Sequence, residues 1–289
     1  MLIVNARSRR GRDLFQQAKT KLTEKGVELI SSHPIRNPKD LVPTMREAVR
    51  SGAPMIIVGG GDGSLSSTVD ELIEKECVFA LLPLGTANSF ARTLGIPLDL
   101  DGAIDVIATG KRRRIDLGII NGDYFANAAS MGVSPMIGET VPHNLKRYLG
   151  RIGYLGWAVW CLIRFHPFRL YVDDGHQKKR VWTTEVRIAN GRFHGGVELI
   201  ESADVRSGDI VVQAVTGRSL FRLLWDWFAK FFKLWAREAA HEEFRGQRLT
   251  IRTKPRQHIS IDGEVVARTP AVIEVAEKAI EVAVPADLE

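Results

Sequence analysis

The sequence predicts an α/β plus all-β chain, in which a doubly wound, Rossmann-like N-terminal sheet is followed by an antiparallel β-domain. Three observations predict it. Short runs rich in β-branched residues alternate with helix-like segments through roughly the first 110 residues, the pattern of a parallel sheet with crossover helices. One of those runs breaks into a glycine-rich loop that opens a helix. Beyond Arg112 the spacing changes to closely set strand-like runs divided by turn residues.

The first unit reads in order as follows. Leu2–Asn5 is a strand and Asn5–Gly11, NARSRRG, a polar loop. A helix follows over about Asp13–Glu24, a strand near Val27–Ser31 and a helix over Pro38–Ser51. Met55–Val58 reads as a buried strand that runs directly into Gly59–Ser64, GGGDGS. Leu65, Val69, Leu72 and Ile73 then recur at helical spacing and put one face against the sheet. A strand, a glycine loop and a helix N-terminus together build a phosphate site, because outward N–H groups and the helix dipole favour anions. Ser64 is placed to cap that helix. Val78–Pro83 is the next strand and Ala87–Leu94 a helix with Thr86 as its N-cap; Asp99–Thr109 is one more helix. The Gly59–Gly63 and Pro83–Asn88 loops both lie at strand carboxyl ends, where doubly wound sheets bind ligands.

In the second unit, Ile115–Ile120 and Tyr124–Met131 form a hairpin about the Asn121-Gly122-Asp123 turn. Further strands are expected at Arg169–Val172, Val181–Ala189, Ile210–Val215, Arg248–Thr253, His258–Ile261, Val272–Val275 and Ile280–Val284. Helical insertions are expected near 145–165 and 219–240. The domains are therefore 1–117 and 118–289, with the boundary near Arg114–Gly118. The basic cluster Lys111–Arg114 reads as a solvated surface.

Composition narrows the function. With 45% hydrophobic residues, a net charge of +6 and a pI near 9.4, the chain is globular and suited to an anionic partner. Cys77 and Cys161 stand far apart without metal-ligand spacing, which points to a reducing cytoplasm rather than a disulfide framework. No signal peptide is read at Leu2-Ile3-Val4-Asn5, and the nearly uncharged stretch Ile152–Ile163 is too short to span a bilayer. No recognition helix, zinc motif or RNA platform is present, so nucleic acid is not an expected partner.

These motifs resemble the diacylglycerol kinase catalytic-domain superfamily, in its soluble bacterial lipid-kinase branch. GGGDGS is similar to the family's GGGDGT, and PLGTANSFAR (Pro83–Arg92) to its PxGTxNDFAR. NARSRRG resembles NPxSGKG with Asn5 and Ser8 kept. RIDLGIINGDYFANAASMGV, ANGRFHGG and ISIDGE (Ile259–Glu264) follow in order, so the resemblance covers essentially the whole chain. It implies an ATP-binding α/β domain, a C-terminal β-sandwich of the kind NAD kinases share, and Mg²⁺-dependent transfer of the ATP γ-phosphoryl group to a lipid hydroxyl such as that of diacylglycerol. It assigns ATP contacts to Asn5, Ser8, Gly60, Gly61, Asp62, Gly63, Ser64, Thr86 and Asn88. Ser32, in SSHPIR, stands for the family's Thr after the second strand. The catalytic base falls on Glu264, with Asp262 beside it and Asp62 on the phosphate side. The chemistry agrees: a carboxylate on a tight Asp-Gly turn can take the proton of a poor hydroxyl nucleophile, although Asp262–Glu264 alone also describes an ordinary hairpin turn.

Two departures stand out. The family's NDF is Asn88-Ser89-Phe90, which removes a carboxylate. Its metal segment, A-x-x-D-D-G-x-L-D, is ADVRSGDIVV, where Ser207 replaces a ligand and leaves Asp204 and Asp209 as the acidic donors. Hard cations prefer carboxylate oxygen, so a structural Mg²⁺ there is expected to be weakened or absent.

Within Ser219–Ala240, Phe221, Leu224, Trp225, Phe228, Phe231, Phe232 and Trp235 share one helical face, with Arg222, Asp226, Lys230, Lys233 and Arg237 opposite. That pattern suits a helix lying on an anionic membrane; packing on the β-sandwich is the alternative. The sequence thus predicts a cytoplasmic, peripherally membrane-associated lipid kinase and leaves a homodimer open. A kinase of a sphingoid or other hydroxyl acceptor is the rival within the same chemistry. A catalytically silent nucleotide- or lipid-binding module is the rival outside it.

Overall fold

A computed structural model describes residues 1–7, 9–133, 157, 160–161, 164–218, 241–261 and 264–287. Strands β1 (Leu2–Asn5), β2 (Ser32–Ile35), β3 (Met55–Gly60) and β4 (Val78–Pro83) are parallel and lie in the order β2-β1-β3-β4. Helices α1 (Arg9–Glu24), α2 (Leu41–Arg50), α3 (Asp62–Val69), α4 (Ser89–Thr93) and α5 (Leu100–Thr109) connect and flank them. The order reverses direction between β1 and β3. Right-handed crossovers then put α1 on one face and α2 with α3 on the other, and α1 packs beside α5. The cleft at the carboxyl ends of β1 and β3 is the switch point where such sheets hold ligands.

The strands of the second unit begin with β5 (Lys111–Ile120), β6 (Asp123–Phe125), β7 (Ala128–Gly132), β8 (Phe168–Asp173) and β9 (Lys178–Ala189). A small hairpin, β10 (Phe193–His194) and β11 (Val197–Glu198), follows. Then come β12 (Ile210–Thr216), β13 (His241–Gly246), β14 (Arg248–Lys254), β15 (His258–Ile261), β16 (Glu264–Arg268) and β17 (Ala271–Val284). These strands pair antiparallel and enclose a core that includes Phe125, Phe168, Val186, Ile188, Val212 and Ile251. A separate core beneath the parallel strands includes Leu2, Ile57, Phe79 and Leu81.

Several expected elements are corrected. The second strand is Ser32–Ile35, not Val27–Ser31: the chain leaves α1 through Gly26 at φ +79, and Leu2 pairs with Ser32. The helix after Pro83 starts at Ser89 rather than Ala87, because Asn88 is left-handed at φ 48 and ends the loop. Strands β13 and β16 were not expected. Val272–Val275 and Ile280–Val284 are one strand, bent by a bulge at Lys278, whose φ is 49. The first half of β17 pairs with β14 and its second half runs parallel to β4, while β5 follows it along both halves. The expected helical insertion near 219–240 lies outside the described residues, and the one near 145–165 lies largely outside them.

Candidate active site

The site forms where two loops close on each other. At the end of β3, Gly60 accepts a hydrogen bond from Leu84 N–H at 2.9 Å, so the first loop is tied to the residue after β4. Gly61 and Gly85 then pass backbone to backbone. A Cβ on Gly85 would stand 2.5 Å from Gly61 Cα, and one on Gly60 would stand 2.6 Å from Ser64 Cβ. A Cβ on Gly63 meets nothing within 4 Å. The first two glycines are therefore needed for the approach of protein to protein, whereas Gly63, exposed in the first turn of α3, leaves open space at a helix N-terminus. That combination fits a phosphate chain.

Side chains lock the cradle. Asp62 Oδ1 accepts Phe90 N–H at 3.1 Å, which joins the start of α3 to the start of α4. Asn5 Nδ2 donates to Ser64 Oγ at 3.2 Å, and Asn5 Oδ1 accepts Arg7 N–H. Asn88 is buried; its Oδ1 accepts Gly85 N–H at 2.9 Å, while its Nδ2 donates to the carbonyls of Gly85 and Pro83 at 3.0 and 3.3 Å. Asn5, Gly60, Gly61, Asp62, Gly63, Ser64 and Asn88 are thus brought together.

Other expected members stand elsewhere. Ser32 pairs with Leu2, at the end of the sheet opposite Asn5, which pairs with Ile35; Ser32 does not reach the cradle. Thr86 is an exposed loop residue and not a helix cap. Ser64 lies inside the first turn of α3, where Gly61 holds the N-cap position. Ser8 and Asp262 are outside the described residues. Glu264 opens β16 opposite Ile261, in the hairpin that β15 attaches to β7.

The structure also assigns roles that the sequence did not reveal. Ser89, buried where the resemblance expects a carboxylate, accepts Gly196 N–H at 3.0 Å and so leans the β10–β11 hairpin on the phosphate loops. Thr93 Oγ1 donates to Asn127 Oδ1 at 2.7 Å, and Asn127 also donates to the Phe193 carbonyl. Asn190 Nδ2 donates to the carbonyls of Asp116 and Ala126 at 2.8 Å each. The buried Asp116 carboxylate accepts the N–H groups of Gly208 and Lys278, both at 2.8 Å. These groups sit in the ANA and ANG segments and the RID run. Their sequence signal was three matched motifs without a chemical role.

The expected metal segment does not fit a divalent ion. Arg206 lays its backbone N–H and Nε on Asp204 Oδ1, at 3.0 and 3.2 Å, and its Nη2 on Oδ2 at 3.2 Å. Burial would raise the Asp204 carboxyl pKa, but Arg206 outweighs it and holds the group below its ordinary value. Ser207 Oγ is engaged with the Asp204 and Asp209 carbonyls. Among the described residues, no group of three or more His, Cys, Asp or Glu is arranged to hold a metal.

A glycine cradle at a switch point, joined to an antiparallel β-domain, is an α/β architecture suited to holding a phosphate chain. The comparisons make the class specific. Residues 1–120 match the model of the diacylglycerol kinase catalytic domain, and residues 127–284 that of the YegS C-terminal NAD kinase beta sandwich-like domain. A probable lipid kinase YegS-like of Enterobacter sp. (strain 638) is 30% identical over 230 residues, 78% of this chain and 76% of that one. A diacylglycerol kinase of Bacillus subtilis (strain 168) is 35% identical over 173 residues, 57% of each chain. The crystal structure of a diacylglycerol kinase from Bacillus anthracis str. Sterne superposes with a TM-score of 0.75 at 22% identity, covering 99% of this chain and 97% of the other. The chain belongs to the diacylglycerol kinase catalytic-domain family of lipid kinases, phosphotransferases with an alcohol acceptor. Among the described residues, no helix is long and apolar enough to cross a membrane.

Proposed function

We propose that this enzyme transfers the γ-phosphoryl group of ATP, with Mg²⁺, to the hydroxyl of a diacylglycerol-type lipid, and does so as a cytoplasmic protein seated on an anionic membrane surface. The observation that carries the reading is the Gly61–Gly85 contact with its Asp62–Phe90 clasp, which leaves the open space at Gly63 facing a helix N-terminus. Backbone N–H groups of Gly61, Asp62 and Gly63 hold the phosphates, Ser64 N–H being bonded to the Gly61 carbonyl at 3.0 Å, and Asn5 and Asn88 fix the two loops around them. Mg²⁺, when bound, neutralises phosphate charge. Asp62, at the start of α3, is the carboxylate of the cradle that would help to hold the ion. Glu264, at the start of β16, takes the hydroxyl proton as that oxygen attacks the γ-phosphorus and the bond to ADP breaks. The functional division follows 1–117 for the nucleotide and 118–289 for the acceptor.

Purified protein incubated with labelled ATP and a total-lipid extract should yield one labelled phospholipid, and its identity fixes the acceptor. Glu264→Gln keeps size and hydrogen bonding but cannot take the proton. It should lower kcat about 10²-fold or more with ATP affinity unchanged. A kcat within a few-fold of the parent transfers the role to Asp262, and no labelled lipid from the parent protein overturns the reading.

A further inference from the structure

The outer face of the second unit gathers cations that the sequence scatters. Across β14, β8 and β9, Lys254 stands opposite Arg169, and Arg169 opposite Trp182. One step along, Arg252 stands opposite Tyr171, and Tyr171 opposite Arg180. Directly paired residues share a sheet face, so all six lie on one surface. Trp182 is flanked by two guanidinium groups, Arg169 at 4.7 Å and Arg218 at 3.9 Å from its ring centre. Lys178 extends the row beside Asp173, its partner at 3.2 Å. Lys178, Arg180, Arg218, Arg252 and Lys254 are exposed, whereas Trp182 and Tyr171 are half-buried. The carboxylates nearest the row are Asp173, the last residue of β8, and Asp174 in the turn that follows. Backbone N–H groups, chiefly that of Gly175 for Asp173 and that of Gln177 for Asp174, hold both below their ordinary pKa.

We infer that this basic, aromatic sheet face is a docking surface for an anionic lipid bilayer. The inference rests on the lipid-kinase reading for its choice of partner. Charge complementarity carries it: five exposed cations and the half-buried Arg169 outweigh Asp173 and Asp174, which are already bonded, Asp173 in part to Lys178, while Glu274 further along the face is paired with Arg248. Guanidinium groups fixed on an indole present planar donors matched to lipid phosphates at little entropic cost. Trp and Tyr, apolar in body and polar at the tip, suit the headgroup layer. The chain is continuous with the surface too. Arg218, stacked on Trp182, directly precedes the Phe- and Trp-rich segment that begins at Ser219. The face has no part in the phosphate cradle, which lies beyond the carboxyl ends of β1, β3 and β4.

Vesicle co-sedimentation tests this with the full chain. The probes are phosphatidylcholine vesicles with and without one quarter phosphatidylglycerol, in low salt and in 0.5 M salt. The parent should bind only the anionic vesicles and release in high salt. Arg180→Glu with Arg252→Glu should weaken binding about tenfold or more, and the milder Arg180→Gln with Arg252→Gln by less. Lys111→Glu with Arg113→Glu, the same change of net charge on exposed positions of β5, should stay within about twofold of the parent. All variants should keep the parent melting temperature, because the changed side chains are exposed. The inference is overturned if the parent does not bind, if the two charge-reversed proteins lose binding equally, or if the Arg180/Arg252 reversal leaves binding intact. Tighter binding of an oligonucleotide, lost in that same reversal, reassigns the face to nucleic acid and also overturns it. Phosphorylation of diacylglycerol in detergent micelles is measured in parallel. Its absence in the parent sinks the choice of diacylglycerol as acceptor, while face-dependent vesicle binding still stands.

Discussion

The phosphate cradle and the junction between the two units solve one problem, fixing loops in place, by opposite means. The cradle is made from two short stretches, Gly59–Ser64 and Pro83–Phe90. It is held by glycines that lack a side chain and by bonds such as Asn88 to Gly85, three residues away. The junction is made from Asp116, Asn127, Asn190, Gly208 and Lys278. It is held by buried polar side chains that answer backbone groups up to 162 residues distant. A cradle must leave room for a ligand, so it is built by removing atoms. A junction must stay closed, so it is built by adding hydrogen-bonding ones. Damage to the first should therefore appear in ligand binding, and damage to the second in stability.

The largest effect is expected inside the cradle. Gly85→Val would drive a side chain into the Gly61 backbone, 2.5 Å from its Cβ position, and should abolish ATP binding. Gly63→Ala meets no protein atom, so the fold and melting temperature should persist while ATP affinity falls. Nucleotide titration and thermal melts on both variants check the contrast; unchanged ATP affinity in Gly63→Ala would remove that position from the phosphate site. Asp62 is a poorer probe than its sequence suggests. It has a structural task, the Phe90 N–H bond, so its loss mixes architecture with chemistry.

An intermediate effect is expected at the junction. Asn190→Ala leaves the Asp116 and Ala126 carbonyls without their donor in a buried setting, at a cost of about 1–3 kcal/mol. Denaturant melts should report that loss with ATP affinity nearly unchanged. A parallel fall in ATP affinity would mean that the two regions are not separable. The smallest effect is expected at the 204–209 loop. Arg206→Ala breaks an ion pair whose side chains are 41% and 35% exposed, so its cost should stay within about 1 kcal/mol. Without nucleotide, chelator should leave the parent melting temperature unmoved, since Arg206 already neutralises Asp204. A clear rise in melting temperature on adding Mg²⁺ alone would contradict this.

Legibility in the sequence follows the same division. Glycine spacing, the apolar strands β1, β3 and β4, and the alternation of elements are local signals, and they located the doubly wound sheet and most of the cradle. Elements without a buried run escaped. Strand β2 has Ile35 as its one buried residue and carries Pro34, as an edge strand can, so Val27 and Leu29 drew the assignment upstream; Ser32 was misplaced with it. Strand β13 is another edge with a single buried residue, Phe244. Glu277 and Lys278 interrupt the apolar pattern of β17 and made one strand read as two. The basic face was invisible for a different reason: only strand register brings Arg169, Arg180 and Arg252 together.

The course of β17 also sets a timetable for synthesis. Strand β4, buried along its whole length, has β3 on one side and the second half of β17 on the other. While a ribosome is still reading the β-domain, that neighbour has not been made. The nascent first unit therefore exposes a long apolar sheet edge, the kind of surface that pairs with other chains. The sheet is completed only when Glu281 and Val282 emerge and pair with Val78 and Phe79. A messenger cut short within the second unit would thus yield an aggregation-prone fragment rather than a free nucleotide-binding domain.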